Sequence, residues 1–336
     1  MDFRLSDDQR LLIDGVRDVL SGECTPDHVR AVWESGAIDR GRWKALAGLG
    51  VVGARAPEAH GGMGLDDLDL VGLMIEAGRA ALPEPLLEVG AVAAPLLAEL
   101  GGDLADEWLP RIAAGDAVVV PVLPDLDPYP AHAVDADLLL VLSGGDLWAL
   151  PPSEVTVTPQ PGIDPARPTA TVTVPDGRAP TRQGPDVEAA GVRAGQWGAV
   201  AAAAFLVGCG HAMIDLAVTY AGQREQFGQP IGSFQAVKHH LADALVDVTF
   251  ARPLVEQAAH AISTDADDVT ASVAAAKAFA ADAATTAARH TLQVHGAIGY
   301  TWESDLQLWM KRAWSLAAAW GDTDRRWSEV EASLGL

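Results

Sequence analysis

The sequence predicts an α+β chain that is mostly α, in the order helical, β, helical. Two patterns carry this reading. Apolar residues recur at steps of three and four in residues 1–115 and again in 191–336. Residues 116–190 instead break into short, period-two apolar runs between Pro, Gly and Asp. A third observation, the alanine-rich stretches of the last segment, indicates helices that pack closely together. With 336 residues and 49% hydrophobic content, the chain is long enough for two or three domains with a substantial core.

The opening stretch "MDFRLSDDQRLLIDGVRDVL" is a helix start rather than a signal peptide. Ser6 caps it and Gln9 closes a capping box, with Leu11, Leu12, Val16, Val19 and Leu20 as the apolar positions. "DDLDLVGLMIEAGRAA" is a second helix, marked by Leu68, Val71, Ile75 and Gly78. The Gly-rich "APEAHGGMGLDD" between them has no strand before it and no lysine near it, so it reads as a connection rather than a phosphate loop. In the middle segment "AVVVPVL", "DLLLVLS", "DLWALPP", "EVTVTPQ" and "TATVTVP" are strands of a small antiparallel β-domain. "WGAVAAAAFLVGCG", residues 197–210, is a buried bundle helix, too short to span a bilayer, which needs about 20 residues. Phe234, Val237, Leu241, Leu245 and Val248 mark one face of the next helix. An alanine-rich helix over roughly 270–294 follows, ending around Gly296 and Gly299.

Acidic residues outnumber basic ones 46 to 23, for a formal charge of −23, and lysine occurs only at 44, 238, 277 and 311. Such a surface repels nucleic acid and anionic membrane, which excludes both as general partners. Cys24 and Cys209 have no metal or redox spacing, so reduced thiols and a cytoplasmic location are expected. The carboxylates of "STDADDVTAS" lack the glycine and terminal glutamate of a calcium loop. His239 and His240 point about 100° apart on a helix and read as an interface or surface pair near Asp243. The C-terminal tryptophans, Trp302 to Trp327, read as packing at subunit interfaces.

Residues 222–243, "GQREQFGQPIGSFQAVKHHLAD", set Arg224 and Phe227 beside Gly228 just before a chain break. On residue type alone, Arg224 either ends a helix as a favourable cation or holds an anion. A second block, "QVHGAIGYTWESDLQLWMKRA", stands at 293–313, and "GLGVVGARAPEAHGGMGLDD" and "WLPRIAAGD" lie near the N-terminus. Together these resemble the acyl-CoA dehydrogenases, flavin enzymes of fatty-acid and related β-oxidation, over most of the chain. The resemblance implies an N-terminal helical domain at 1–115, a reduced β-domain at 116–190 and a C-terminal four-helix bundle at 191–336. It also implies that Arg224 and Phe227 reach across a subunit interface to FAD, the arginine toward the pyrophosphate. Gln235 and Gln293 match positions that touch the adenosine or pyrophosphate part, and Gly296 allows close backbone approach, with Ala297 in place of the family's second glycine.

The same resemblance exposes departures. α,β-Dehydrogenation needs a carboxylate against the α-proton. The usual glutamate positions read as Gly321, in "AAAWGDTDRRW", and Val218, in "MIDLAVTYAGQREQFG", so no catalytic residue is assigned. Asp322 and Asp215 lie near these positions and read as a polar turn and a solvated helix face. The family's flavin-cradling loop and strand have no counterpart in 115–190. The pattern resembles the short, degenerate subunit of actinobacterial α2β2 acyl-CoA dehydrogenases of steroid side-chain oxidation. It implies a full-length partner subunit that carries the base, an acyl-CoA substrate and an electron-transferring flavoprotein as acceptor. A self-sufficient homomeric enzyme using Asp322 or Asp215, and a flavin-free binding or scaffold homologue, stay open on the residues alone.

Overall fold

The computed structural model describes residues 6–335, so the first five residues of the opening segment lie outside it. Helices α1 (Asp7–Glu23), α2 (Pro26–Ser35) and α3 (Arg40–Gly48) begin on Ser6, Thr25 and Asp39, whose side chains accept from first-turn N–H groups. The Ser6–Gln9 capping box is present in both directions. The buried face of α1 is Ile13, Val16 and Leu20, while Leu11 is exposed, so the stripe lies one position round from the one expected. Helix α4 (Asp67–Arg79) starts on a second capping box, Asp66 with Asp69. A wholly buried π-helical stretch, Leu87–Ala93, runs into α5 (Ala94–Leu100), and α6 (Gly102–Ala113) ends the first helical part.

The five expected strands form as β1 (Val119–Val122), β2 (Leu138–Ser143), β3 (Asp146–Leu150), β4 (Thr156–Gln160) and β5 (Thr169–Thr173). A short β6 (Arg182–Gln183) joins them, giving a sheet in the order β1-β2-β3-β6 and a separate β4-β5 ribbon. Most pairs are antiparallel as expected, but β1 and β2 run parallel, with Val119 opposite Leu138. The chain between them crosses back before re-entering the sheet, which parallel pairing requires. Both strands are buried on nearly every residue, so they read as continuous apolar runs rather than alternations.

Helices α7 (Pro185–Gln223), α8 (Gln235–Ser263) and α9 (Val269–His295) are the long members of the C-terminal bundle; α10 (Leu306–Ala318) and α11 (Thr323–Ser333) follow. The run 197–210 is part of a 39-residue helix that is long and apolar enough to cross a membrane, which corrects the expectation of a short segment. Its most apolar window is 78% buried, because α4, α8, α9 and α10 pack around it. Phe205, Leu206 and Val207 are almost fully enclosed, and each such side chain contributes about 1.5–3 kcal/mol. α7 crosses α4 at glycines: a β-carbon on Gly208 would strike the Ile75 carbonyl, and one on Gly78 the Phe205 carbonyl. On α8, Ala244, Val248, Ala251 and Val255 face inward and Leu245 is exposed, so small residues hold the stripe that larger ones were expected to hold.

Candidate functional site

Helix α7 stops where Arg224 leaves the helical region (φ −75°, ψ 119°), its N–H bonded to the Tyr220 carbonyl at 2.9 Å. A hairpin follows, β7 (Glu225–Gln226) against β8 (Gln229–Pro230), turned by Phe227 and Gly228. Both turn residues have positive φ, +54° and +79°. Such a turn suits Asn-Gly, and a phenylalanine held there costs about 1 kcal/mol or more. The ring is not buried to offset that cost. Phe227 is 93% exposed, touching Phe234 only edge-on at 6.1 Å. Arg224 is also exposed and, among the described residues, has no carboxylate partner. An arginine and an aromatic ring are therefore presented to solvent on a tight hairpin tip.

The other expected contact residues sit at the same end of the bundle. Gln235 is the exposed first residue of α8, whose flanking Phe234 supplies no side-chain cap, so the leading N–H groups stay open to an acceptor. Gln293 is exposed on the last turn of α9, which Gly296 ends at φ +62°. A small apolar cluster joins the three pieces: Ala217 and Ala221 of α7 and Val294 of α9 pack with Ile231, Val237 and Leu241. Tyr220 stacks on His295 at 4.6 Å and 15°, tying the end of α7 to the end of α9. His295 Nδ1 donates to the Thr291 carbonyl at 2.8 Å, and burial lowers the ring's pKa, so it is neutral at neutral pH. Sequence reasoning gave Tyr220 and His295 no role. Their only signal was an aromatic four residues before Arg224 and a histidine inside the second motif.

This face fits one edge of an anionic, aromatic-bearing group such as FAD: an unpaired guanidinium, an exposed ring, open helix N–H groups and two amides. It is an open face, so a second surface has to complete any site built on it.

The usual positions of a base, and the aspartates near them, are arranged differently. Val218 is an exposed residue of α7. Asp215 is exposed and paired with Arg79 at 2.6 Å, and Asp322 caps α11, accepting from the Arg325 N–H at 2.8 Å. At Gly321 (φ +86°) a β-carbon would lie 2.6 Å from Arg326 Nε and 2.9 Å from its Cζ, so a side chain there would have to shift the guanidinium. The preceding Trp320 is buried, its N–H bonded to Asp127 Oδ2 at 3.2 Å and its carbonyl to Arg326 Nη2 at 2.6 Å. Lys277 is fully enclosed and donates to the Ala317 and Gly321 carbonyls at 3.1 and 3.3 Å. Burial first, and then the Arg326 charge, push Lys277 down to about 7.

The Lys277 shift has a definite sign. Between about pH 7 and 10.5 the unfolded chain holds a proton that the folded lysine has released, so this group makes stability rise with pH across that window. Unfolding midpoints of the wild type should rise relative to those of Lys277→Met from pH 7 toward 9. Parallel profiles would contradict the shift.

Between the β-domain and α10 lies a cavity of about 400 Å³, bordered by Asp127, Tyr129, Ile163, Arg167 and Trp314. Nearby interior space is taken by ion pairs, Arg167 with Glu88 at 3.3 Å and Arg312 with Asp164. Of the remaining features, His240 does not pair with Asp243: its Nδ1 meets His290 Nδ1 on α9 at 2.8 Å. Trp309 and Trp320 belong to the core, while Trp302 is exposed. Cys24 and Cys209 are free and buried, each thiol pushed up to about 12 by burial.

Comparison with known proteins adds the following. Residues 6–116 match the acyl-CoA dehydrogenase N-terminal domain and residues 193–335 the acyl-CoA dehydrogenase C-terminal domain. The chain is similar to the acyl-CoA dehydrogenase IpdE2 of Mycolicibacterium smegmatis, 32% identical over 334 residues that cover 98% of this chain and 100% of that one. It is also similar to the acyl-CoA dehydrogenase FadE34 of Mycobacterium tuberculosis, 34% identical over 339 residues, covering 94% of this chain and 46% of that one. Among solved structures, a chain of the ChsE4-ChsE5 complex from Mycobacterium tuberculosis superposes with a TM-score of 0.90 at 25% identity, covering 100% of this chain and 99% of that chain.

Proposed function

The chain belongs to the acyl-CoA dehydrogenase family of oxidoreductases acting on CH–CH bonds, and we propose that it is the short subunit of a heteromeric, FAD-dependent member. In this reading the assembled enzyme α,β-desaturates a CoA thioester in the cytoplasm and passes its electrons to an electron-transferring flavoprotein. A steroid side-chain CoA ester is the acyl class that the resemblance to actinobacterial heteromers implies. The carrying observation is a contrast within one molecule. The Arg224–Gly228 hairpin is held exposed at a conformational cost, while position 321, one of the usual places for the base, is a glycine at φ +86° with no carboxylate to offer.

Bound FAD supplies the two-electron oxidation of the CH–CH bond. Arg224 would hold pyrophosphate oxygens, for which a planar guanidinium offers two parallel donors. Phe227 would pack beside it, Gln235 and Gln293 would bond its adenosine or pyrophosphate part, and Gly296 would let the backbone come close. The full-length partner subunit contributes the rest of the flavin pocket and the carboxylate that removes the α-proton. The test is FAD content, from the visible flavin band, of the chain alone and co-expressed with full-length acyl-CoA dehydrogenase chains. The expected result is flavin only in a co-purified complex.

A further inference from the structure

A cavity of about 450 Å³ opens where the β2–β3 hairpin meets the N-terminal turns of α7, α9 and α11. It lies at the opposite end of α7 from the Arg224 hairpin. Gln196, which borders it, is 28 residues from Arg224, about 40 Å along the helix. Leu123, Leu126, Leu142 and Val187 make its apolar wall, and its volume is in the range of small-molecule sites. Two glycines of α7 border it for different reasons. At Gly195 a β-carbon would lie 2.9 Å from Leu126 Cδ2, so the glycine makes room for that side chain. At Gly191 it would stand at ordinary contact, 3.5 Å from Leu142 Cδ2. Glycine weakens a helix interior relative to alanine, and here no neighbour demands it. What the missing side chain preserves is open volume.

The polar lining sets the charge of a ligand. Gln196 is half-buried against the cavity, and its amide has no hydrogen-bond partner among the described residues. Arg325 and Arg326 also border the space, but both are paired with Glu329, at 3.3 and 2.8 Å. At the rim, a β-carbon on Gly145 would lie 3.7 Å from Glu188 Cβ, which sets the hairpin tip, with Asp146, beside that residue. These two carboxylates repel an anionic head, while the N-terminal ends of three helices oppose a cation. An uncharged head meets neither conflict, and the free amide gives it a hydrogen bond. We propose that this cavity is a further ligand site, for an uncharged amphiphile whose hydrocarbon body lies on the leucine wall and whose hydroxyl or carbonyl meets the Gln196 amide. The site needs neither FAD nor a partner chain, so it stands independently of the heteromeric reading.

The experiment is calorimetric titration of the full chain with three probes of one tail length: octan-1-ol, octanoate and octylammonium. Octan-1-ol should saturate at one per chain. Both ions should bind at least about tenfold more weakly, because neither finds a free counter-charge inside the cavity. Gly191→Leu fills the volume and should abolish binding of the alcohol. Gln196→Leu keeps the wall and should weaken the alcohol about three- to tenfold, the worth of one neutral hydrogen bond. Either ion matching the alcohol would overturn the uncharged site, as would a wild type that does not saturate. Unchanged binding in a folded Gly191→Leu chain would remove the ligand from this cavity. If that variant does not fold, Gln196→Leu decides alone, and unchanged binding of the alcohol there overturns the assignment. The FAD content of a complex moves none of these outcomes, so the heteromeric reading fails or stands separately.

Discussion

Arg224→Ala, placed in the heteromeric complex, is expected to weaken FAD retention about ten- to a hundredfold, the range for losing a charge-assisted hydrogen bond. The free chain should not notice the change, because Arg224 is exposed and its structural bonds are made by the backbone. Phe227→Gly sharpens the test. Glycine adopts φ +54° without strain, so the hairpin should be as stable as before or more so, yet the complex should lose FAD. Flavin absorbance per heterodimer after gel filtration, paired with melting curves of the isolated variants, checks both. Full FAD retention in Arg224→Ala would remove the hairpin from the cofactor site. A large drop in the free chain's melting temperature would make Arg224 a structural residue.

The second large effect belongs to the fold. Gly208→Ala should destabilise the chain by about 3 kcal/mol, near the top of the usual overpacking range. The added methyl meets the Ile75 carbonyl, and it also lies 2.8 Å from the Arg79 nitrogen and 2.9 Å from the Gly78 α-carbon. These are backbone atoms of α4, so no side chain can rotate away and the two helices must separate. Denaturant unfolding of the isolated chain measures it. By contrast, Gly222→Ala in the last turn of α7 has open space around its β-carbon and should be nearly silent. Equal effects at the two positions would mean that the α4–α7 crossing is not set by its glycines.

What could be read from the sequence follows from which signals are local. Capping at Ser6, the five strands and the alanine-rich α9 all depend on neighbours in the chain, and each is found where local chemistry put it. The buried faces were less legible. Alanine is neutral in a hydrophobic pattern, so Ala244 and Ala251 did not mark the inner side of α8 and the larger Leu245 was taken instead. The parallel β1–β2 pair was hidden because pairing direction depends on where the intervening chain travels, not on strand composition.

The candidate site divides in the same way. Arg224, Phe227 and Gln293 stood out because they lie in contiguous motifs. Tyr220 on His295, and the indole of Trp320 on Gly198, are contacts between residues far apart in sequence, and no local pattern pairs either residue with its partner. Lys277 is one of four scattered lysines in the sequence, and only the fold bonds its Nζ inside the turn it supports.

The central claim is that this chain serves a flavin site it cannot complete alone, and FAD per polypeptide tests it most directly. The chain purified alone should carry no flavin, and the complex with its full-length partner should carry about one FAD per pair of unlike chains. Near-stoichiometric flavin on the isolated chain would contradict the account, since the β-domain would then form a pocket of its own.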